Sequence, residues 1–295
     1  MIRALLAALV LSIVVAVPAS ADGPRWGTLM MDRPEDRIDA ARVLLYANSI
    51  GHRGTAAAGA PSPAVRDAWF SQMPGWTRYF IRGTYAQLLN LGARANQVGM
   101  ADLYECFGYG PESSHQAGPE ALAPLTWVPR AEALAHSYGK CLIYGPAVRD
   151  YEERLTDGSR EQMAALIAQV APHVDVWVVQ LAKYQGLADM GLPRYTMADF
   201  TDWIGWWAAT VKSANPEAQV WVQLGTGKDN PFSVGCTPPA GVPYLLAYRD
   251  LLGGVGIDAI HAMPSQLCQM STDPVQHEWY LQHLEAIRDA IEASG

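Results

Sequence analysis

The sequence has few charged residues and lacks the motifs of several common enzyme classes. Only 17% of its 295 residues are charged, the formal net charge is −8, and Lys and Arg form no stripe. Phosphate contacts need clustered basic side chains, so the sequence argues against nucleic-acid binding. It contains no C-x-x-C, no H-E-x-x-H, no P-loop, no G-x-S-x-G and no G-x-G-x-x-G that opens a helix. We therefore expect no metal and no cofactor.

Long apolar runs are also absent, except for one at the N-terminus. Arg3 precedes an apolar run over residues 4–17, and small residues follow at 19–21. The run of about 14 residues is shorter than the roughly 20 that span a bilayer as a helix, and its order is that of a secretory signal. We predict cleavage after Ala21, export of residues 22–295 as one domain, and no membrane span in the mature protein.

The sequence has only four cysteines, and all of them lie in the predicted mature chain, residues 22–295. An even number in an exported protein suggests two disulfides, with three pairings possible. We favour Cys236 with Cys268, because both follow neighbouring strands in loops. Cys106 and Cys141 lie in strand candidates that should be neighbours, so they either form the second bond or remain buried thiols.

Short apolar runs alternate with amphipathic segments along the chain. The predicted strands cover residues 41–49, 77–84, 140–146, 175–183, 218–227 and 257–266, and the stretch 101–112 holds a further strand followed by a Gly-rich loop. The predicted helices cover residues 61–73, 85–99, 129–139, 159–174, 196–214, 240–254 and 275–294. This order implies parallel strands joined by right-handed crossovers, and the length suits a (β/α)8 barrel. We predict an α/β fold, namely a (β/α)8 TIM-like barrel with irregular N-terminal strands. An open doubly wound sheet is the alternative.

Acidic residues near the predicted carboxyl ends of the strands are candidate catalysts, because barrel sites form at that end. Glu105 is the most informative acid, since it lies inside the strand candidate LYECF among apolar neighbours. A buried carboxylate is costly unless it is paired or protonated. Glu105 is therefore either a catalytic acid or nucleophile, or one half of a structural ion pair. Glu152 and Asp150, after the next strand, are its candidate catalytic partners.

Other polar residues at strand ends suggest contacts with ligand hydroxyls. Gln180 and Gln223 lie near strand ends, and an amide both donates and accepts hydrogen bonds. Tyr144 ends another strand, and His261 alternates with apolar residues, which favours an inward position. Lys183 is placed to pair with an acid across the mouth. Each also has a structural interpretation, as a satisfied buried amide, a core histidine or a solvated cation.

Ten tryptophans raise the question of sugar stacking, since an aromatic face packs on the apolar face of a pyranose. Trp76 and Trp127, in loop-like surroundings, are the candidate platforms. The tryptophans that we assign to the core fall at helical spacing or inside strands: Trp177, Trp203, Trp206, Trp207 and Trp221.

Three stretches of the second half carry a resemblance to known proteins. DVWVVQLAKYQ (175–185), ANPEAQVWVQLGTG (214–227) and GIDAIHAMPS (256–265) resemble bacterial secreted barrel proteins. An exported barrel with acids and aromatics at its mouth resembles the glycoside hydrolase barrels, which implies a glycan ligand. The strand KCLIYGP lacks the terminal Asn-Glu of the large retaining group, and IDAIHAMPSQ has no terminal acid. The resemblance therefore implies the fold rather than the two-carboxylate mechanism.

Three functions remain open at this stage, all with a glycan or small molecule as partner. The first is a glycoside-hydrolase-like protein that acts on a glycan through Glu105 and a second acid. Two carboxyls about 5 Å or 6.5–9.5 Å apart would favour it. The second is a non-catalytic barrel that binds a carbohydrate or surface ligand, which the Gln-rich mouth favours. The third is a lyase or isomerase that uses Glu105 and Lys183.

Overall fold

The computed structural model describes residues 25–30, 52–55, 77–97, 105–113, 118–180, 197–227, 236–263, 268 and 273–293. Eight β-strands lie in these ranges. In chain order they are β1 Arg25–Met30, β2 His52–Thr55, β3 Thr77–Arg82, β4 Cys106–Tyr109, β5 Cys141–Tyr144, β6 Val176–Gln180, β7 Gln219–Gly225 and β8 Ala259–Met263.

The strands form one parallel sheet that closes on itself. Each strand pairs with the next in chain order, and β8 pairs with β1, where Ala259 lies opposite Arg25. The predicted α/β class and the parallel strands are confirmed. β4 to β7 are almost continuously apolar because residues on both faces are buried, as the covered strands of a parallel sheet require.

Seven α-helices of at least one turn lie in the described ranges. In chain order they are α1 Tyr85–Gln97, α2 Gly118–Ala121, α3 Pro124–Ser137, α4 Arg160–Val170, α5 Met197–Ala214, α6 Val242–Gly253 and α7 Pro274–Glu292. Ser159 caps α4, because its side chain accepts a hydrogen bond from the Gln162 N–H at 3.3 Å. A π-helical turn, Asp150–Leu155, follows β5 and was not predicted.

In β4 to β8, alternate apolar residues belong to two different clusters. One cluster joins strand residues such as Trp177 and Val179 to the helices that surround the sheet. The other contains only residues of strands: Cys106, Ile143, Val176, Val178, Trp221 and Ala259, with Ile81 and Cys141 against it. This second cluster is the packed interior of the barrel, since side chains of period two point to one face.

Four of the five tryptophans assigned to the core are buried as predicted, and Trp206 is partly buried against the same cluster. Trp177 on β6 lies 5.9 Å from Trp207 on α5, measured between ring centroids, and neither is exposed. Trp203 and Trp206 stack with their centroids 5.0 Å apart on the same helix. Trp221 instead fills the barrel interior. Each large buried aromatic side chain removes about 150–250 Å² from water, so these rings dominate the packing between β6, β7 and α5.

Both predicted disulfides are present. Cys106 and Cys141 lie opposite each other at the start of the neighbouring strands β4 and β5, and their bond joins these strands at the apolar interior of the barrel. Cys236 and Cys268 join the segment after β7 to the segment after β8. The alternative of two buried thiols at positions 106 and 141 is therefore wrong.

The first strands differ from the prediction. The predicted strand 41–49 lies outside the described residues, and no strand was predicted at β1 or β2. β2, HRGT, is short and polar, and in β1, RWGTLM, Gly27 and Thr28 interrupt the apolar residues, so neither gives the continuous apolar run by which the other strands were found. None of the helices in the described ranges is long and apolar enough to cross a membrane.

Candidate functional site

Three polar side chains meet on the inner face at the carboxyl end of the barrel. Gln180 on β6 pairs in register with Gln223 on β7, and Gln223 pairs with His261 on β8. They follow Val178, Trp221 and Ala259 by two residues each, so they form the layer directly above the apolar interior. All three line one small cavity of about 20 Å³. The structure therefore brings Gln180, Gln223 and His261 together, and their role in binding stays a prediction.

The opposite wall of this cavity, which we call the axial cavity, is made of glycine and apolar side chains. Gly108 lies within β4, Gly110 directly follows β4, and Gly145 directly follows β5; all three line the cavity. Ile81, Ile143 and Val178 complete the floor. Every described residue that lines the axial cavity is uncharged. The cavity therefore offers hydrogen bonds on one side and apolar contact on the other.

The Gln180 amide has a fixed orientation. Its Nε2 donates a hydrogen bond to the backbone oxygen of Gly145, and a carbonyl oxygen only accepts. Nε2 must therefore face β5, which leaves the second N–H and the Oε1 acceptor of the amide directed elsewhere. Since the side chain is only partly buried, these two groups are open to a ligand in the cavity that Gln180 lines.

His261 is a neutral imidazole in this setting. The side chain is buried, and burial lowers the pKa of His261 to about 3 because desolvation penalises the charged form. Between about pH 5 and pH 8 the ring therefore carries one donor and one acceptor but no charge. Together with the two amides it makes an uncharged, hydrogen-bonding centre.

A second cavity lies on the same side of the barrel but outside the strands. It measures about 680 Å³ and is lined by the π-helical turn and the starts of α4 and α5: Glu152, Glu153, Asp157, Gly158, Arg160, Asp199, Asp202 and Trp203. Arg160 holds Asp202 at 3.1 Å, and its guanidinium lies 4.7 Å from the centre of the Trp203 ring. We call this the rim cavity.

Asp150 and Glu152 occupy different surroundings although they are neighbours in the π-helical turn. Asp150 is 2% exposed and accepts hydrogen bonds from the backbone N–H of Ser113, at 2.8 Å, and from the Ser113 hydroxyl. Arg154 lies 3.5 Å from the same carboxylate. Asp150 thus ties the loop after β4 to the loop after β5. Glu152 is 8% exposed and lines the rim cavity.

The expected position of Glu105 is wrong. β4 begins at Cys106, so Glu105 precedes the strand, and its side chain is exposed at the amino end of the barrel. Glu105 was expected inside the strand LYECF, but β4 begins only at Cys106, and the inward position at the strand start belongs to Cys106 of the disulfide. The structure therefore does not bring Glu105 to the axial cavity or to Glu152.

Tyr144 was expected to face the ligand, and this is also wrong. It belongs to the outward register of β5 and is fully buried against the helices, with its hydroxyl 3.2 Å from the Tyr151 hydroxyl. Burial raises the pKa of Tyr144 above its ordinary value. An apolar strand covered on both faces gives no sign of which residues point inward, and this is why the sequence misplaced the side chain.

Trp127 and Trp76 were the expected aromatic platforms for a sugar, and the structure describes only Trp127. Trp127 lies in α3 rather than in a loop, with its ring centroid 5.6 Å from that of Tyr85 and the Arg130 guanidinium 4.9 Å above it. It therefore packs between helices. Trp76 and Lys183 lie outside the described residues. In the ranges that the structure covers, no group of three or more His, Cys, Asp or Glu side chains is arranged to hold a metal ion.

The residues that the sequence analysis missed are the glycines of the axial cavity. The stretch CFGYG places Gly108 and Gly110 two residues apart, which is the spacing of one strand face. This pattern was the available signal for an opening beside the polar layer, since glycine inside or next to a strand often marks a close approach of backbone or ligand.

Known proteins resemble this chain in fold but not in sequence. No family model matches the chain, and no curated protein matches it. A spore cortex-lytic enzyme from Bacillus megaterium has a TM-score of 0.54 at 9% identity, over 93% of this chain and 76% of that one. A protein from Bacteroides thetaiotaomicron assigned as an alpha-L-fucosidase has a TM-score of 0.51 at 12% identity, over 96% and 99% of the two chains.

A sugar phosphate isomerase/epimerase from Parabacteroides distasonis has a TM-score of 0.50 at 12% identity, over 93% of this chain and 99% of that chain. At such low identities the likeness shows the fold alone. The chain is thus an α/β protein with a TIM-barrel-like fold, and these comparisons single out no specific relative.

Proposed function

We propose that this protein is an exported (β/α)8 TIM-like barrel that binds an uncharged glycan at the carboxyl end of its strands. The observation that carries the proposal is the in-register layer of Gln180, Gln223 and His261 on the inner face of three adjacent strands. Ligand sites of such barrels form at this end.

The chemistry of this layer suits hydroxyl groups. An amide and a neutral imidazole each offer both a donor and an acceptor, and a sugar hydroxyl also does both. A carboxylate or phosphate ligand would leave a charge unpaired among the described lining residues, which costs free energy in a buried site. A neutral polyhydroxylated ligand avoids that cost.

Binding is favoured over catalysis by the same residues. Amides do not titrate, and a His261 with its pKa at about 3 is a weak proton acceptor near neutral pH. A lyase or isomerase built on Glu105 and Lys183 loses its support, because Glu105 lies at the amino end of the barrel.

Export and the domain boundary are part of the proposal. Two disulfides suit an oxidising compartment outside the cytoplasm, and the N-terminal residues have the order of a cleaved signal. Cleavage after Ala21 would leave residues 22–295 as one barrel domain.

Glycoside hydrolysis is the second candidate, and the rim cavity favours it. Its volume of about 680 Å³ falls in the usual range for ligand pockets, and it holds the mostly buried Glu152 beside Trp203. In this alternative Glu152 would act with a second carboxylate of the same cavity, and Asp150 would serve to hold the loop.

The test is a binding and turnover screen of the mature protein on neutral, acidic and amino oligosaccharides. Gln180→Met removes the amide at nearly constant size, and Gln169→Met makes the same change on the exposed face of α4. We expect neutral oligosaccharides to bind, Gln180→Met to weaken binding about tenfold, and Gln169→Met to leave it unchanged. Equal binding by both variants would remove the axial cavity from the site.

A further inference from the structure

We infer that the axial cavity is a slot for a single hydroxyl-bearing group at the end of the ligand, and that Gly145 sets the size of the slot. This inference rests on the proposed function and narrows it to recognition of a chain end. A ligand recognised in this way inserts one terminal group along the barrel axis, while its rings remain above the strand ends.

The size of the cavity limits what enters it. Its volume of about 20 Å³ is close to the roughly 10–15 Å³ that one water molecule needs on the same measure. A pyranose ring is several times larger. Since Ile143 and Val178 close the floor, the group that enters is a hydroxyl on a narrow stem.

Two glycines keep this space open. A Cβ atom at position 145 would lie 3.3 Å from Nε2 of Gln180 and 3.5 Å from Cβ of Val178. A Cβ atom at position 110 would lie 3.2 Å from the backbone oxygen of Gly145, which is the acceptor for Gln180. Glycine at these positions therefore preserves both the slot and the hydrogen bond that orients the amide.

Backbone conformation gives no other reason for these glycines. The described glycines with a left-handed φ are Gly139, Gly158 and Gly256, and neither Gly110 nor Gly145 is among them. An alanine is therefore compatible with the backbone at position 145, and the lack of a side chain there is a matter of space.

Hydrogen bonding in the slot matches a hydroxyl. With one N–H of Gln180 bound to Gly145, the amide still offers Oε1 as an acceptor and a second N–H as a donor. A terminal hydroxyl donates to the first and accepts from the second. A methyl group of equal size satisfies neither, so the slot distinguishes a hydroxymethyl terminus from its deoxy counterpart.

The experiment follows the side-chain amide resonances of Gln180 during titration with glycerol, which has narrow hydroxymethyl ends, and with tert-butanol, which is too wide. We expect glycerol to shift the Gln180 resonances saturably in the native protein, and tert-butanol to leave them in place. Gly145→Ala should weaken the glycerol response about tenfold. Gly254→Ala is the matched control, because that glycine ends α6 at the other end of the barrel with φ −73° and only ordinary contacts for a Cβ.

Val178→Ala should widen the cavity, whereas Gly145→Ala should narrow it. The inference can therefore still be tested if Gly145→Ala fails to fold. Removing two methyl groups from the floor should let tert-butanol shift Gln180. The inference is overturned if glycerol acts equally on the native protein and on Gly145→Ala, or if tert-butanol acts on the native protein as glycerol does.

The same variants separate this inference from the proposed function. If glycerol behaves as expected but none of the neutral oligosaccharides of the screen binds, the slot stands and the glycan proposal fails. If an oligosaccharide binds the native protein and Gly145→Ala with equal affinity, the glycan proposal stands and the slot is excluded as part of the site.

Discussion

Gln180 and Gln223 lie directly opposite each other on β6 and β7, with both side chains on the inner face of the barrel. The chain brings them together from 43 positions apart because parallel strands end at the same edge of the sheet. Below them lie Val178 and Trp221, and beside them lies the neutral ring of His261. The site is thus a polar layer on an apolar floor.

Replacement of Gln223 tests the role of this layer in binding. Gln223→Leu keeps the approximate volume but removes a donor and an acceptor from a side chain that is 8% exposed. We expect affinity for the neutral oligosaccharide that binds best to fall about tenfold, since a lost hydrogen bond costs about 0.5–1.5 kcal/mol and an unsatisfied ligand hydroxyl adds to it. Isothermal titration calorimetry measures the change, with Gln169→Leu on the outer face of α4 as the control.

His261 predicts how stability depends on pH. Its folded pKa of about 3 lies below the ordinary value of 6.5, so below about pH 6.5 the unfolded chain takes up a proton that the folded protein does not. The free energy of unfolding should therefore fall as the pH falls from about 6.5 towards 3, by about 2 kcal/mol between pH 7 and pH 5 from this residue. His283, whose pKa is also lowered by burial, acts in the same direction.

Urea unfolding at several pH values checks this prediction. His261→Asn should remove the contribution of His261 to the pH dependence of the free energy of unfolding. The contribution of His283 should remain. An unchanged slope in His261→Asn would mean that the imidazole takes up a proton equally in the folded and the unfolded protein, which contradicts a pKa lowered by burial.

Asp150 should matter for stability through Ser113. A hydrogen bond to a charged group contributes about 1.5–3 kcal/mol, and Asp150 receives two from this serine. We expect Asp150→Ala to lower the free energy of unfolding by about 2 kcal/mol. A double-mutant cycle with Ser113→Ala should show a coupling of about 1 kcal/mol, because only the hydroxyl bond is lost in the serine variant. Additive effects would contradict the contact.

Two substitutions distinguish between the acidic residues that are candidates for catalysis. Glu105→Gln should leave binding and any turnover unchanged, because Glu105 lies at the amino end of β4. Glu152→Gln changes a residue of the rim cavity. If the screen finds turnover, loss of more than about a hundredfold in Glu152→Gln would support hydrolysis at the rim. The same loss in Glu105→Gln would contradict the placement of the site at the carboxyl end.

Much of the barrel was predictable because its covered strands and amphipathic helices have different periods. β3 to β8 and most helices follow from this contrast, whereas the order of the strands made the bond between Cys106 and Cys141 possible without deciding it. β1 and β2 did not follow, since HRGT has no apolar run and the apolar residues of RWGTLM are interrupted by Gly27 and Thr28.

The candidate site was predictable only in part. Gln180, Gln223 and His261 were found because a polar residue in an apolar strand is conspicuous in a sequence. Glu105 was placed inside β4 although it directly precedes that strand, and Tyr144 was placed on the wrong face of β5. When both faces of a strand are apolar, the sequence does not show which residues point inward. The contribution of Gly145 depends on its distance to Gln180 across two strands, which is a tertiary relationship.

The most direct measurement is a titration of the mature protein with neutral oligosaccharides, followed by the side-chain amide resonances of all its glutamines. The proposed function predicts saturable shifts of Gln180 and Gln223 together, with Gln169 on α4 unchanged. Shifts confined to residues around the rim cavity, or none with any neutral oligosaccharide, would contradict a glycan site on the barrel axis.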